Sequence, residues 1–174
     1  MTKYVAVPTQ NERTFGEDEI IVSKTDGTGR ITYANDVFLK VALYHEHEVL
    51  GQPHSLVRHP DMPRCVFKLL WDTIQDGREI FAYVKNMAKN GDYYWVFAHV
   101  TPSFGGGDQV IGFHSNRRSP RPDAIAKIEP IYNQLLAEEN RHANRKDGMM
   151  AGFQMLCQTL ESQGVDYDQF VFSL

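Results

Sequence analysis

The sequence predicts an α+β fold: a five-stranded antiparallel sheet with short helices on one face, plus C-terminal helices. Two observations predict it. β-branched and aromatic runs come as two strands early and three strands late, with helical periodicity between the groups. Within each group the chain reverses through short turns, Asp26-Gly27-Thr28-Gly29, Lys89-Asn90-Gly91-Asp92 and Gly105-Gly106-Gly107-Asp108. Short turns join antiparallel neighbours, so helices gather on a sheet face rather than serving as crossovers.

Residues 1–18 are polar and aperiodic and are expected to form a loosely held N-terminal arm. Residues 19–25 are short and β-branched, hence a strand, and Arg30-Ile31-Thr32-Tyr33-Ala34 alternates as its hairpin partner. Asn35 follows as a preferred N-cap, and Val37, Phe38, Val41 and Ala42 recur at helical spacing. A second short helix fits residues 45–50, ended by Gly51. The connector at residues 51–63 holds three prolines, which fix φ and remove donors, together with His54, Arg58, His59 and Asp61. It reads as a stiff polar segment of the kind that carries binding groups, or as a tight loop whose charges face water.

Pro63 suits a helix start, Val66, Phe67, Leu70, Trp71 and Ile74 share one face, and Gly77 closes that helix. Residues 80–87 and 93–101 flank an Asn-Gly turn, a strong hairpin signal, and residues 109–117 supply the last strand. The glycine run before it lacks the Gly-Lys-Ser/Thr ending of a phosphate loop. Ser119-Pro120-Arg121-Pro122-Asp123 marks a boundary, so residues 19–119 form the first domain and 120–174 a helical extension. In the extension Ile125, Ile128, Ile131 or Tyr132, Leu135 and Leu136 mark an amphipathic helix that Pro130 is expected to bend or restart. A further helix lies within residues 148–164, and Phe170, Val171 and Phe172 make the last ten residues apolar enough to dock.

At 174 residues the chain can bury a core without staples, and its net charge of -4 gives no reason to expect nucleic acid as partner. Cys65 and Cys157 form no metal-type pair, the start has no signal-peptide core, and no apolar run is long enough to span a membrane. The expectation is a cytoplasmic protein with reduced thiols.

The order of elements, with Ile31-Thr32-Tyr33-Ala34-Asn35-Asp36-Val37-Phe38, resembles a PAS domain. Gly51-Gln52-Pro53-His54, Val57-Arg58-His59-Pro60-Asp61-Met62-Pro63, Val84-Lys85-Asn86 and Lys89-Asn90-Gly91-Asp92-Tyr93-Tyr94-Trp95-Val96 resemble the PAS domains of aerotaxis receptors in particular. The resemblance covers residues 18–135. It implies a sensory module that holds FAD, ahead of FMN or haem, and reports redox, oxygen or energy state to a chemotaxis signalling partner; with no nucleophile–base set or carboxylate pair recognisable in the sequence, the module is expected to be non-enzymatic. It further implies that Asn35, Arg58, His59, Asp61, Trp71 and Asn86 matter for flavin binding or signalling. Two positions depart from the family: Ile80 stands where a tryptophan is usual, and Asn116 where an aliphatic residue is usual.

The residues themselves add chemistry and leave alternatives. Asn86 shares an apolar strand face with Ile80, Ala82 and Val84, and an amide there either bridges backbone or meets flavin N5, as donor or acceptor. Asn35 serves as a helix cap or as a ligand contact. Arg58 suits an anion or the ribityl side of the cofactor, against a salt bridge with Asp61. Asp61 also suits a helix cap. His59 is a ligand donor or a loop histidine, and for His54 the solvent-facing reading is favoured. Trp71 fits the core better than ring stacking. In photoactive flavin PAS domains the reactive cysteine lies within a few residues of the loop glycine; Cys65 comes well after Gly51, so the resemblance does not imply light-driven adduct chemistry, and Cys65 reads as a buried hydrophobe. His45, His47, His99 and His114 keep a haem-binding oxygen sensor as a rival. The other rival is a cofactor-free dimerisation or adaptor module, with outward Phe81 and Tyr83 meeting the C-terminal helices or a second subunit. The partners expected are a second copy of the chain and a separate transducer.

Overall fold

The computed structural model describes residues 6–174. β1 (Ile21–Asp26) and β2 (Ile31–Ala34) form the first hairpin, and β3 (Ile80–Met87), β4 (Tyr93–Phe104) and β5 (Val110–Arg118) form a meander. They join in one sheet of order β2-β1-β5-β4-β3, with every pairing antiparallel. The first and last strands of the sequence pattern thus lie side by side at the centre. β3 is left as an edge.

The segment from β2 to β3 holds α1 (Asp36–Ala42), α2 (Glu46–Val49), a 3-10 turn (His54–Val57) and α3 (Arg64–Gln75). These lie over the sheet face that carries Ser23, Val84, Asn86, Ala98, Phe113, Ser115 and Arg117, and a cavity separates the two layers. Arg58 and Asn86 form an isolated bridge, so the connector pairs with the free edge of β3. An exposed edge strand is thereby covered.

Of the three C-terminal helices the first and third meet the opposite face, while the second packs against the first and against α3. These are α4 (Pro122–Asn140), α5 (Arg145–Gln163) and α6 (Tyr167–Phe172). The Tyr132 hydroxyl donates to the Tyr83 carbonyl oxygen at 2.8 Å, and the Phe172 ring lies 4.8 Å from that of Phe81. The outward aromatics therefore meet the chain's own helices. α4 runs through Pro130 without a restart, contrary to one of the expected outcomes. Burying Ile128 and Leu135 contributes roughly 1.5–3 kcal/mol each. That outweighs the ~3 kcal/mol an interior proline costs a helix.

The N-terminal arm is tied down rather than loose over residues 9–13. Thr9 N–H donates to Gly91 O at 2.9 Å, Arg13 N–H to Tyr93 O at 2.7 Å, and Arg13 Nε to Val41 O at 2.9 Å. Residues 1–5 lie outside the described residues. α5 begins at Arg145, three residues before the expected start, because the Asn144 side chain caps it by accepting from Lys146 N and Asp147 N.

Candidate functional site

The cavity between α3 and the sheet has a volume of about 310 Å³. Strand alternation decides which residues reach it. On β3 the even positions Val84 and Asn86 face inward, on β4 Ala98 and Val100, and on β5 Phe113, Ser115 and Arg117. α3 contributes Phe67, Leu70, Trp71 and Ile74 from one face. Flat apolar walls thus meet a polar end built from Ser23, Thr25, His54, Arg58, Ser115 and Arg117.

Of the residues singled out from the sequence, Arg58, Trp71 and Asn86 line the cavity. The Arg58 guanidinium lies 3.9 Å from the centre of the Phe67 ring, and its Nη2 is buried without a partner. Burial pulls its pKa down to about 10, with the Glu139 carboxylate opposing. It makes no salt bridge with Asp61, whose carboxylate instead meets Lys85 Nζ at 3.0 Å. Asn86 is 5 % exposed, and none of the hydrogen bonds among the described residues uses its amide.

Trp71 is partly exposed and stands edge-on to Phe113 at 5.4 Å, in the cavity wall rather than in the closed core. It leans against Gly29, where an added Cβ would lie 2.7 Å from the indole and where φ is +82°. Gly29→Ala is therefore expected to push the indole aside and to cost about 1–2 kcal/mol, since the backbone strain adds to the clash. Tryptophan fluorescence and the urea midpoint check both effects.

Asn35, His59 and Asp61 do not line the cavity. Asn35 Oδ1 accepts from Phe38 N and from Val22 N, both at 3.0 Å, while Nδ2 donates to Ile20 O at 2.8 Å. Its amide is spent on capping α1 and tying it to β1. His59 is buried on the other side of the connector, edge-on to Tyr93, with Nδ1 accepting from Asp61 N at 3.1 Å. Asp61 pairs with Lys85, and Lys85 points away from Asn86 because the two are neighbours on one strand.

Two residues were missed or misplaced. Arg117, 5 % exposed, was not singled out at all. Its Nη2 donates to Ser23 Oγ at 2.9 Å and to His54 Nε2 at 2.7 Å, while Nη1 is buried with no partner. Burial lowers its pKa to about 10. His54, expected to face solvent, lines the cavity instead. Because a guanidinium only donates, His54 Nε2 accepts and the ring is neutral. Burial, then the Arg117 charge, hold its pKa down at about 3. Asn116, which stands where the family has an aliphatic residue, faces the other side of the sheet, since Ser115 and Arg117 take the inward positions. The period of two running back from Arg117 through Ser115 to Phe113 was the available signal.

Cys65 is buried, and burial and Glu139 push its thiol pKa well up, consistent with the hydrophobe reading. Among the described residues no group of His, Cys, Asp and Glu side chains is placed to hold a metal, and no helix is long and apolar enough to cross a membrane.

A family model for the PAS fold matches residues 31–116, which include most of the residues that line this cavity. The aerotaxis receptor of Escherichia coli (strain K12) is 41 % identical over 129 residues, covering 74 % of this chain. Residues 31–116 belong to the PAS family. The nitrogen fixation regulatory protein of Klebsiella pneumoniae is 29 % identical over 83 residues, covering 48 % of the chain. The chain spans about a quarter, 25 %, of the aerotaxis receptor and 17 % of the regulatory protein. The dark structure of the blue-light photoreceptor Aureochrome1 LOV superposes with a TM-score of 0.54 at 21 % identity, covering 70 % of this chain and 84 % of that one. That likeness concerns the PAS fold. The aerotaxis-receptor likeness runs over more of the chain than the family model does.

Proposed function

We propose that this PAS domain is a sensory module that binds a flavin, FAD, in the cavity and reports redox, oxygen or energy state to a separate signalling partner. One observation carries the ligand. Four buried polar atoms on the cavity wall lack any protein partner: Thr25 Oγ1, Ser115 Oγ, Arg58 Nη2 and Arg117 Nη1. Buried polar groups are ordinarily satisfied, so these four call for a polar ligand. The likeness to the aerotaxis receptor supports a redox role.

The residues suit a flavin. Trp71, Leu70, Ile74, Phe113 and Val100 give apolar walls for a flat ring, and the polar end offers donors to its heteroatoms. A volume of about 310 Å³ lies at the small end of ligand sites, so the ring is enclosed and the remainder of FAD extends outward. A flavin supplies reversible electron uptake; the protein's part is to bind the ring and answer its change of hydrogen bonding. Asn86 is the switch in this reading, because an amide meets an acceptor or a donor by flipping. Asn86 pairs with Tyr94 on β4, whose neighbour Trp95 packs on Tyr132 of α4, giving the C-terminal helices a route to the change. Residues 19–119 are then the sensor and 120–174 its reader, in a cytoplasmic, non-enzymatic protein acting as a dimer.

The haem rival is weakened because His54, which lines the cavity, already uses Nε2 to accept from Arg117. An absorption spectrum of the purified protein tests the reading. Flavin bands support it, a Soret band supports haem, and a colourless protein that resists FAD reconstitution supports the adaptor. Asn86→Ala is expected to retain the fold and lose the redox-dependent change in protection of α4, read by hydrogen exchange.

A further inference from the structure

We infer that Arg117, set in place by His54 and Ser23, holds negative charge on the buried edge of the ligand, so that the cavity favours reduced flavin as an anion over the oxidised ring. The inference rests on the flavin reading above and deepens it.

Arg117 is a buried cation that forms no ion pair among the described residues. The buried charge of Glu139 shows the opposite arrangement. Glu139, 0 % exposed, accepts from Arg64 N, Arg64 Nε and Cys65 N. Arg117 has only two neutral acceptors, and both engage Nη2. A buried charge without a counter-charge is strongly destabilising, so a partner of opposite sign accounts for what the protein leaves open. The titratable and charged groups packed against Arg117 or lining the cavity with it are His54 from the 3-10 turn, Tyr94 from β4 and Arg58 from the connector. None brings a negative charge at neutral pH. His54 is neutral and fixes the guanidinium from behind. Ser115 precedes Arg117 by one inward position, and Thr25 lies on the adjoining strand. Their free hydroxyls add two more unpartnered polar groups to the same cavity wall.

Two-electron reduction places an electron pair in the flavin ring. N5 takes one proton. The remaining negative charge, centred at N1, is neutralised by a second proton or balanced by a fixed cation. With Arg117 as that cation the second proton stays in the solvent, so reduction consumes two electrons and one proton.

The test is a dye-equilibrated reduction of the flavin-loaded full chain with dithionite at several pH values below neutrality. One proton per two electrons gives a slope of about 30 mV per pH unit, and two protons give about 59 mV. The wild type is expected to show the shallow slope. Arg117→Gln is expected to show the steep one. It also loses about 30-fold in its preference for the reduced form, a potential lower by about 45 mV for a two-electron couple. Arg117→Lys, which keeps the charge, is expected to keep the shallow slope. A wild type that binds no flavin overturns this inference together with the flavin reading. A wild type that binds flavin but shows the steep slope overturns the inference alone, and needs no variant. Equal potentials and slopes in the wild type and Arg117→Gln do the same.

Discussion

Glu139→Ala is expected to lower the unfolding free energy by about 3–5 kcal/mol, the range for breaking a buried, fully bonded charge. Glu139 sits near the end of α4, yet its work is done at the start of α3. Oε2 accepts from Arg64 N at 3.0 Å and Arg64 Nε at 2.8 Å, and Oε1 accepts from Cys65 N at 2.7 Å. The first turn of a helix has free N–H groups and the positive end of the dipole, both of which favour a carboxylate. Pro63 at the N-cap brings no side-chain acceptor, so the cap has to come from elsewhere in the chain.

Alanine would strand two backbone donors and the Arg64 guanidinium, partly shielded from water. Glu139→Gln keeps an acceptor and the shape, and is expected to cost about 1–3 kcal/mol, the range for a lost charged hydrogen bond. Urea unfolding checks both values, and in a heat scan the alanine variant should melt on the order of 10 °C lower for a chain of this size. The packing leaves little room to adapt: a Cβ on Gly148 of α5 would lie 2.2 Å from the Glu139 carbonyl oxygen. Because Phe67, Leu70, Trp71 and Ile74 of α3 line the cavity, the alanine variant should also bind the ligand more weakly.

The second large effect is loss of stability in acid through His54. Its pKa is held down at about 3, against 6.5 for a free imidazole, by burial first and by Arg117 second. The folded protein therefore keeps the ring neutral where the unfolded chain protonates it. Stability contributed by His54 is complete above about pH 6.5 and is lost as pH falls toward 3. In that window the unfolded state binds the extra proton, so unfolding is favoured by up to roughly 1.4 kcal/mol per pH unit. His54→Gln offers Arg117 an amide oxygen without a titratable ring. Unfolding free energy measured against pH should be flatter for this variant between those limits. Equal slopes for the variant and the wild type would show that His54 is not the acid-sensitive group.

The two effects lie at opposite ends of the connector. Its end at Pro63 leads into the α3 turn capped by Glu139, and its beginning at His54 holds Arg117. Between them Arg58 bridges to Asn86 on the sheet edge. A change at the cavity's polar end thus has a short covalent path to the helix that the C-terminal extension grips.

The α+β fold and the succession of its strands and helices along the chain were legible in the sequence because they rest on local signals. Period-two alternation, Asn-Gly and Asp-Gly turns, the Asn35 cap and the proline stops each act within a few residues. The same local reasoning placed Val84 and Asn86 on an inward face. It also marked Arg58 as the cation of a rigid connector. Asn35, His59 and Asp61 could not be assigned this way. Each has two local uses, and the choice depends on what stands opposite: Ile20 and Val22 for Asn35, Tyr93 for His59, Lys85 for Asp61.

Sequence alone determined that this chain builds an antiparallel sheet under short helices, with a stiff, cationic connector between them. Only the tertiary structure decided that β5 lies beside β1. That pairing sets Ser115 opposite Ser23 and brings Arg117 against His54, residues 63 positions apart, with one guanidinium nitrogen left open to the cavity. It likewise decided that Glu139 caps α3 from 75 residues away. The physical reason is the same in both cases. A charge is specified locally only by its type, and its partner, or the lack of one, is fixed by burial among elements that the chain brings together from a distance.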